Sequence, residues 1–168
     1  SGDQPGSFVD RAWLDAEPAE SETACVRHLS FDAPLLTTRY RLAGQLDPFA
    51  GMQHLDLFHP TRRAFASRWA DCRLQTAERH LLGFHRRDDL PASLVPEVWF
   101  AFVRQGITDR LAAILAHNRW DLMSLVGLLP VLDAAFSTPA AYGADVVAVA
   151  RYWLQQGDEQ AALRHLQS

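Results

Sequence analysis

A long segment with helical periodicity in the second half of the chain constrains the fold most strongly. From about Thr108 to about Leu129 or beyond, apolar residues recur with a period near 3.6, which is typical of a helix with one buried face. The members of this stripe are Leu111, Ile114, Leu115, Leu122, Leu125, Val126 and Leu129. Pro130 is expected to kink or end the helix, because proline removes a backbone donor. The chain has 168 residues and is 48% hydrophobic, which suits one packed domain with at most a short appendage.

The remaining pattern is mostly helical, and strand-like segments occur only before residue 60. Strands are expected at residues 8–14, 25–29 and 54–58, and the second of these ends at Asp32. Helices are expected from Pro34 to Gly44, from Pro60 onwards, and over residues 74–82, 96–106, 145–155 and 158–166. Residues 137–140 form the best linker candidate. Trp99, Phe102 and Trp120 are expected to be core residues rather than a stacking surface for bases.

Composition excludes several function classes. The formal net charge of −4 provides no general attraction for nucleic acid, and all 16 basic residues other than histidine are arginines, so arginine must make any phosphate contact. Cys25 and Cys72 form no CxxC pattern, which argues against a zinc site and favours reduced thiols. Neither an apolar run of spanning length nor a signal sequence is expected. The predicted location is therefore cytoplasmic, with no membrane contact.

Three polar residues could carry chemistry, although each also has an ordinary structural explanation. His117 and Asp121 are four residues apart on the long helix and therefore share a face. They could simply form a local hydrogen bond on a half-solvated surface. Asp32 stands after a strand and at the start of a helix, where an aspartate could serve as an N-cap. Considered one at a time, the structural explanations are the stronger ones.

The order of motifs along the chain favours a functional explanation. Residues 29–40, with Phe31-Asp32-Ala33-Pro34 among them, resemble the second motif of DEDD-type 3'–5' exonucleases, and residues 117–121 resemble their third. Further similar segments lie between them at residues 54–63, 74–78, 81–83, 88–91, 95–97 and 102–106. In this order and spacing, residues 26–132 are similar to YprB-like exonucleases of the ribonuclease-H-like fold.

This resemblance implies a two-metal hydrolytic site. Asp32 and Asp121 would bind Mg²⁺ or Mn²⁺, because hard cations prefer carboxylate oxygens, and the two metal ions would lie about 4 Å apart. His117 would be the general base or the group that positions water. Asn118 and Arg39 are the candidates for substrate contact. Asp56 and Glu78 are expected to be structural. Arg62 and Arg63 are weaker candidates for phosphate contact, and a solvated helix face is the favoured explanation for both.

The family's first motif, a D-x-E on the first strand, is expected to be missing. Asp10-Arg11-Ala12 has alanine at the glutamate position and lies too close to Asp32 for the intervening strands. The fold class expected is therefore a truncated, helix-rich, ribonuclease-H-like α/β fold over residues 1–136. A helical hairpin that resembles one tetratricopeptide unit follows at residues 140–168. With two carboxylates instead of four, little or no nuclease activity is expected.

Three functions remain open from the sequence. The first is a metal-dependent 3'–5' exonuclease acting on single-stranded or frayed DNA or RNA. The second is a non-catalytic ribonuclease-H-like domain that binds nucleic acid or a protein, and the third is a helical interaction module. A homo-oligomer or a protein partner could use an exposed sheet edge or the C-terminal hairpin.

Overall fold

A two-stranded parallel sheet and seven α-helices make up the part of the chain that the computed structural model describes, residues 24–26 and 32–167. Strand β1 (Ala24–Val26) pairs in parallel with β2 (Gln53–Leu55), and Cys25 lies opposite His54. Parallel neighbours need a crossover connection, which helix α1 (Asp32–Leu42) provides. Because both strands point the same way, the start of α1 and Asp56 follow the same edge of the sheet.

Helices form the remainder of the described structure. Helix α2 (Phe58–Phe65) follows β2, and the short α3 (Leu74–Ala77) continues directly into one π-helical turn (Glu78–Leu82). Helix α4 (Val95–Gln105) precedes the 27-residue helix α5 (Leu111–Ser137). Helices α6 (Val146–Gln155) and α7 (Glu159–Gln167) form the C-terminal hairpin. Two 3₁₀ turns, Ala92–Leu94 and Pro139–Tyr142, connect these helices.

The core lies where the C-terminal half of α5 meets α2 and the hairpin. Leu128, Leu132, Ala135 and Phe136 form the buried apolar face of α5. Phe65 of α2 and Val149, Ala150 and Trp153 of α6 pack in the same cluster. The spacing of the α5 residues, four and then three or four apart, is the spacing that puts side chains on one helical face. This core fixes the half of α5 that follows Asp121.

Polar contacts also hold the hairpin to the rest of the fold. The indole Nε1 of Trp153 donates a 3.0 Å hydrogen bond to the carbonyl of Phe136, near the end of α5. His165 of α7 hydrogen-bonds the same backbone group. The N–H of Asp145 donates to the carbonyl of Ala64 at 2.7 Å. The division of the chain at residues 137–139 stays a prediction, and the side chains on its two sides share one core.

The predicted effect of Pro130 was a kink or an end of the long helix, and the helix does not end there. Helix α5 continues through Pro130 to Ser137. Because Pro130 has no backbone N–H, the carbonyl of Val126 has no helical partner. Both residues lie on the exposed side of the helix, where water can donate to this carbonyl oxygen. The residues beyond Pro130 bury the apolar face that holds this last part of the helix in place.

The predicted apolar stripe of the long helix is only partly buried. Leu115, Leu122 and Val126 are 64%, 57% and 70% exposed, whereas Leu128 and Leu132 carry the buried face. The prediction of a core position was also wrong for Trp99, which is 40% exposed, while Phe102 and Trp120 are half-buried. Sequence periodicity located the helix, but it did not identify which apolar side chains are buried in the described part of the structure.

The length and composition of α5 also correct the expectation that the chain has no apolar run of spanning length. Among the described residues, α5 is the one helix whose length and mean hydropathy of 1.3 would permit a membrane span, and 28% of that window is buried. The signal is weak because the core helix of a soluble domain passes the same test.

Truncation of the buried face of α5 should destabilise the domain strongly. Leu132 is fully buried, so Leu132→Ala should lower the free energy of unfolding by about 2–5 kcal/mol through the cavity that it leaves. Leu122→Ala is the matched control, because it removes the same atoms from an exposed position of the same helix and should change stability by less than about 0.5 kcal/mol. Urea unfolding followed by circular dichroism measures both. Equal losses in the two variants would contradict this assignment of the buried face.

The start of α6 should be sensitive to acid. Asp145 caps α6 by accepting from the N–H of Ala148 at 3.0 Å, and it also accepts from Ser67 at 2.6 Å. The hydrogen bond from Ser67, together with that from the Ala148 amide, holds the pKa of the Asp145 carboxyl below its usual 3.8. The stabilisation is therefore complete above the unfolded-state pKa and is lost as pH falls through the lower folded-state pKa.

Two substitutions separate charge from capping at Asp145. Asp145→Ala should cost about 1 kcal/mol near neutral pH, the usual value of an N-cap. Asp145→Asn should keep most of the cap and show a smaller loss of stability than the unchanged protein between pH 5 and pH 3, roughly the range over which an aspartate titrates. Thermal melts across this range provide the measurement. An unchanged acid profile in Asp145→Asn would show that this carboxylate does not contribute to it.

Candidate functional site: an arginine that joins three carboxylates beside His117

Arg86 is the centre of the most densely bonded polar cluster described. Its side chain is 4% exposed and donates to Glu78 Oε2 at 2.8 Å through Nε, to Asp121 Oδ1 at 2.6 Å through Nη2, and to Asp89 Oδ2 at 3.2 Å through Nη1. Glu78 is 1% exposed. A guanidinium group presents its five N–H groups in a fixed plane, so one arginine can bond several carboxylates at once. Arg86 thereby joins the π-helical turn, the loop after it and helix α5.

His117 is held on the same cluster by Asp89. Its Nδ1 lies 2.7 Å from Asp89 Oδ1, and its Nε2 lies 3.6 Å from Asp121 Oδ2. Gln75 Nε2 donates to the other oxygen of Asp89 at 2.9 Å. Because a carboxylate only accepts hydrogen bonds, the short contact places a proton on Nδ1. In the neutral ring the lone pair is therefore on Nε2, the nitrogen nearer Asp121.

The hydrogen bonds of the cluster stabilise the charged forms of Arg86 and Asp89. Burial disfavours the charged form of Arg86, but hydrogen bonds to Glu78 and Asp121 outweigh this effect and raise the pKa of the guanidinium above its ordinary value. Burial likewise opposes ionisation of Asp89, but hydrogen bonds from His117 and Arg86 hold the pKa of its carboxyl below the usual range. Asp89 is therefore an anion near neutral pH, which is the form that can orient the ring of His117.

Unusual backbone geometry flanks Arg86 on both sides. The preceding turn, Glu78–Leu82, is π-helical, a form that is rare and frequent at functional sites. Asp88 has φ of +55°, which non-glycine residues seldom adopt. This geometry brings Arg86 and Asp89 of the loop back toward Glu78. Helix α5 packs against this turn where Gly127 lies beside the Leu82 side chain, and a Cβ at Gly127 would lie 3.4 Å from it, an ordinary contact distance.

The sequence-predicted site residues are only partly brought together among the described residues. His117 and Asp121 are adjacent, as their spacing predicted. Asn118 on α5 and Arg39 in the last turn of α1 are both exposed. Asp32 begins α1, but its side chain lies outside the described part of the structure. A paired-metal site requires the Asp32 and Asp121 carboxylates to lie within roughly 4–7 Å of each other. This distance also lies outside the described part of the structure.

Sequence reasoning missed the roles of Arg86 and Asp89. Neither residue was among the predicted site residues, and Glu78 was expected to be structural. The available signal was Glu78 itself, a carboxylate among the apolar residues Ala77, Leu81 and Leu82, since a charged group in such a run needs a buried partner. The identity of that partner depends on the path of the loop, which local sequence does not encode.

A cavity opens beside Asp121. It has a volume of about 360 Å³ and lies between the end of β2, helices α2 and α3, and α5. Asp56, which follows β2, and Asp121 both line it. Asp56 Oδ1 accepts from the N–H of Phe58 at 2.9 Å, which agrees with its predicted strand-end role. The cavity gives a small ligand access to the Asp121 carboxylate.

The described residues do not assemble a metal-ion site by themselves. Among the side chains that the structure describes, which do not include that of Asp32, no group of three histidine, cysteine or acidic residues has the arrangement to hold a metal ion. Asp121 Oδ1 is already bonded to Arg86, which leaves Oδ2 as its less engaged oxygen. A two-metal centre needs additional carboxylates beside Asp121.

The expectation that the sequence has no D-x-E pattern was wrong. Asp15-Ala16-Glu17 has the D-x-E pattern, although the motif had been expected to be missing. The triplet precedes Asp32 by only 17 positions, which is short for the strands and the helix that separate the two motifs in the exonucleases that the chain resembles. It lies outside the described residues.

Comparison with known proteins identifies the family. A family profile described as the RNase_H superfamily matches residues 13–133, most of the chain and the whole of the Arg86 cluster. The chain belongs to the RNase_H superfamily. It is also 34% identical over 100 residues to the uncharacterized protein YprB of Bacillus subtilis (strain 168), a match that covers 59% of this chain and 24% of that protein. The matched part is therefore about a quarter of the relative's length. No solved structure matches significantly.

Removal of Arg86 should destabilise this RNase_H-superfamily domain more than removal of any exposed charged residue does. Arg86→Met should lower the free energy of unfolding by about 3–5 kcal/mol, because Glu78 would remain as a buried charge without its partner. Arg87→Met is the matched control on the adjacent, exposed position and should stay within about 0.5 kcal/mol. The double variant Glu78→Gln, Arg86→Met should recover part of the stability that Arg86→Met loses. Denaturant unfolding of the complete cycle provides the coupling energy, and additive losses would argue against the ion pair.

Proposed function

We propose that this domain hydrolyses phosphodiester bonds in nucleic acid as a 3'–5' exonuclease. The observation that carries the proposal is the His117–Asp121 pair, fixed by Asp89 and Arg86 at the edge of a cavity in a domain of the RNase_H superfamily. A histidine beside a carboxylate and an accessible cavity is an arrangement that can activate water. The proposed substrate is single-stranded or frayed DNA or RNA.

The chemical roles follow from the contacts of each side chain. Asp89 orients His117 through Nδ1, so Nε2 is available to position a water molecule or accept its proton. Arg86 fixes Oδ1 of Asp121, so that Oδ2 faces His117. Arg39 and Asn118 are the proposed contacts for substrate phosphate and sugar. Both are exposed, as such contacts require.

Mg²⁺ or Mn²⁺ is the proposed cofactor, and Asp32 and Asp121 are its proposed ligands. Such ions would activate a water molecule and stabilise the leaving oxygen of the phosphodiester. The ligand set must include carboxylates beyond Asp121. The Asp15-Ala16-Glu17 triplet is the one place in the sequence from which a D-x-E pair could come. Because its spacing to Asp32 is short, weak activity is proposed for this 168-residue polypeptide.

The second candidate is a non-catalytic domain of the same superfamily that binds nucleic acid or a protein. The observation that favours it is the 2.6 Å bond between Arg86 and Asp121, because an arginine already neutralises the carboxylate that a metal ion would need. In this alternative, a partner protein or a second copy would use the edge of the sheet or the α6–α7 hairpin.

A nuclease assay with metal titration separates the two candidates. Degradation of a 5'-labelled single-stranded oligonucleotide with Mn²⁺ should be slow but measurable. His117→Ala should reduce the rate by about 10²–10⁴-fold, the usual contribution of general acid–base catalysis. Asp121→Asn should also abolish Mn²⁺ binding in calorimetry. Asp109→Asn is the matched control, because it removes the same charge from an exposed turn just before α5.

The pattern of results assigns the carboxylates. Activity that disappears in both Asp32→Asn and Glu17→Gln would place the Asp15-Ala16-Glu17 triplet in the site. Absence of Mn²⁺ binding and of hydrolysis in the unchanged protein would reject the exonuclease proposal in favour of the binding domain. Activity that survives in Asp121→Asn would reject the assigned site, because contaminating nuclease would then be the source.

A further inference from the structure

Two adjacent cavities share the lining residues Cys72 and Arg73. The first is the cavity of about 360 Å³ that reaches Asp121. The second has a volume of about 320 Å³ and extends from the same residues toward Arg62 and Trp69. Phe58, Cys72 and Arg73 line both cavities. We call the two together the α2–α3 groove.

The walls of the groove change character along its length. Near Asp121 the wall is mostly apolar, with Leu125 and Leu128 of α5 facing residues of α2 and α3. At the outer end, Arg62 and Arg73 line the wall, and Arg73 is 85% exposed. Arg73 lines both cavities and therefore lies at their junction, whereas Arg62 lines only the outer one. An apolar recess next to a cationic exit suits a ligand with a flat apolar part and an anionic chain.

We propose that the α2–α3 groove binds the unpaired end of a single-stranded nucleic acid, with a base in the apolar recess and backbone phosphates at Arg73 and Arg62. This inference rests on the proposed function, because it takes the recess beside Asp121 as the reacting end. It gives Arg62 a ligand-binding role, in place of the solvated helix face expected from the sequence. It also names an exit path for the chain, from Asp121 past Cys72 to Arg62.

The volume of the recess, about 360 Å³, is that of a small-molecule pocket and suits a single nucleotide. A single base and its sugar can enter a recess of this size, and base–apolar contact requires no particular sequence. The groove therefore favours a frayed or single-stranded end of any base composition.

Two arginines, Arg62 and Arg73, outnumber the one acidic residue that lines the outer cavity. Asp71 lines the outer cavity, but its carboxylate accepts from Thr76 Oγ1 at 2.6 Å and from the N–H of Arg73 at 3.0 Å. Its contact with the Arg73 side chain is 3.9 Å long and exposed, and such surface pairs are weak. A phosphate can therefore compete for Arg73. Asp56 and Asp121 lie at the inner end, away from Arg62 in the groove.

Binding is measured without hydrolysis, in EDTA, by fluorescence anisotropy of a labelled oligothymidylate. Arg62→Gln with Arg73→Gln should weaken binding at least about tenfold. It should also reduce the slope of log K against log salt by about 1.4, since each phosphate contact on a single strand contributes about 0.7. Arg151→Gln with Arg164→Gln removes the same charge from exposed positions on the α6–α7 hairpin and should leave both quantities nearly unchanged.

Alkylation of Cys72 tests the location directly. Cys72 is half-buried at the junction of the two cavities, and burial raises the pKa of its thiol, so iodoacetamide is applied at alkaline pH. Saturating oligothymidylate should slow carboxamidomethylation of Cys72 severalfold, as measured by peptide mass spectrometry. A duplex of the same length with blunt, clamped ends should protect much less.

The outcomes separate this inference from the nuclease proposal. Binding and protection without hydrolysis would retain the groove and reject catalysis. Hydrolysis with an unchanged KM in the Arg62→Gln, Arg73→Gln variant would retain catalysis and reject the groove. Oligonucleotide binding that leaves Cys72 unprotected would also overturn the inference. Protection by polyglutamate, but not by oligothymidylate, would assign the groove to an acidic protein segment instead.

Discussion

The buried Arg86 guanidinium determines the arrangement of every other group in the candidate site. It is bonded to carboxylates from the π-helical turn, the following loop and helix α5, and it positions Asp89 to hold His117. A buried ion pair of this kind adds little net stability compared with apolar packing, since desolvation opposes it. What it does supply is geometry, because the planar guanidinium fixes three carboxylates relative to one another. The loop and the helix therefore cannot move independently without leaving charges unpaired.

The core and the cluster act on different parts of the same helix. Leu128, Leu132 and Phe136 fix the C-terminal half of α5 against α2 and the hairpin, whereas Arg86 fixes the part that carries His117 and Asp121. Between these two parts, the π-helical turn packs against α5 where Leu82 lies beside Gly127. Apolar packing thus fixes the C-terminal half of α5, and the ion pairs fix the part that carries the site residues. The site side chains therefore have little freedom to move.

The elements predictable from the sequence were those with local signals. Periodicity located α5, and its four-residue spacing correctly placed His117 beside Asp121. The continuation past Pro130 was not predictable, because it depends on the exposed side of the helix and on partners far away in the chain. The same holds for Arg86, whose three partners are 8, 3 and 35 residues distant. Charge pairing across a loop depends on the path of the backbone, and two arginines followed by two aspartates at residues 86–89 permit several pairings.

The carbonyl of Phe136 links the C-terminal hairpin to the rest of the molecule. It lies near the end of α5, where helix carbonyls lose their internal partners, and it accepts instead from the indole of Trp153. Separation of the hairpin would expose this buried acceptor together with the apolar faces of α5 and α6. The intermediate in which the hairpin alone is detached is therefore costly. As a result, α5 and the hairpin should unfold as one cooperative unit, and the orientation of His117 should be coupled to the integrity of the last two helices.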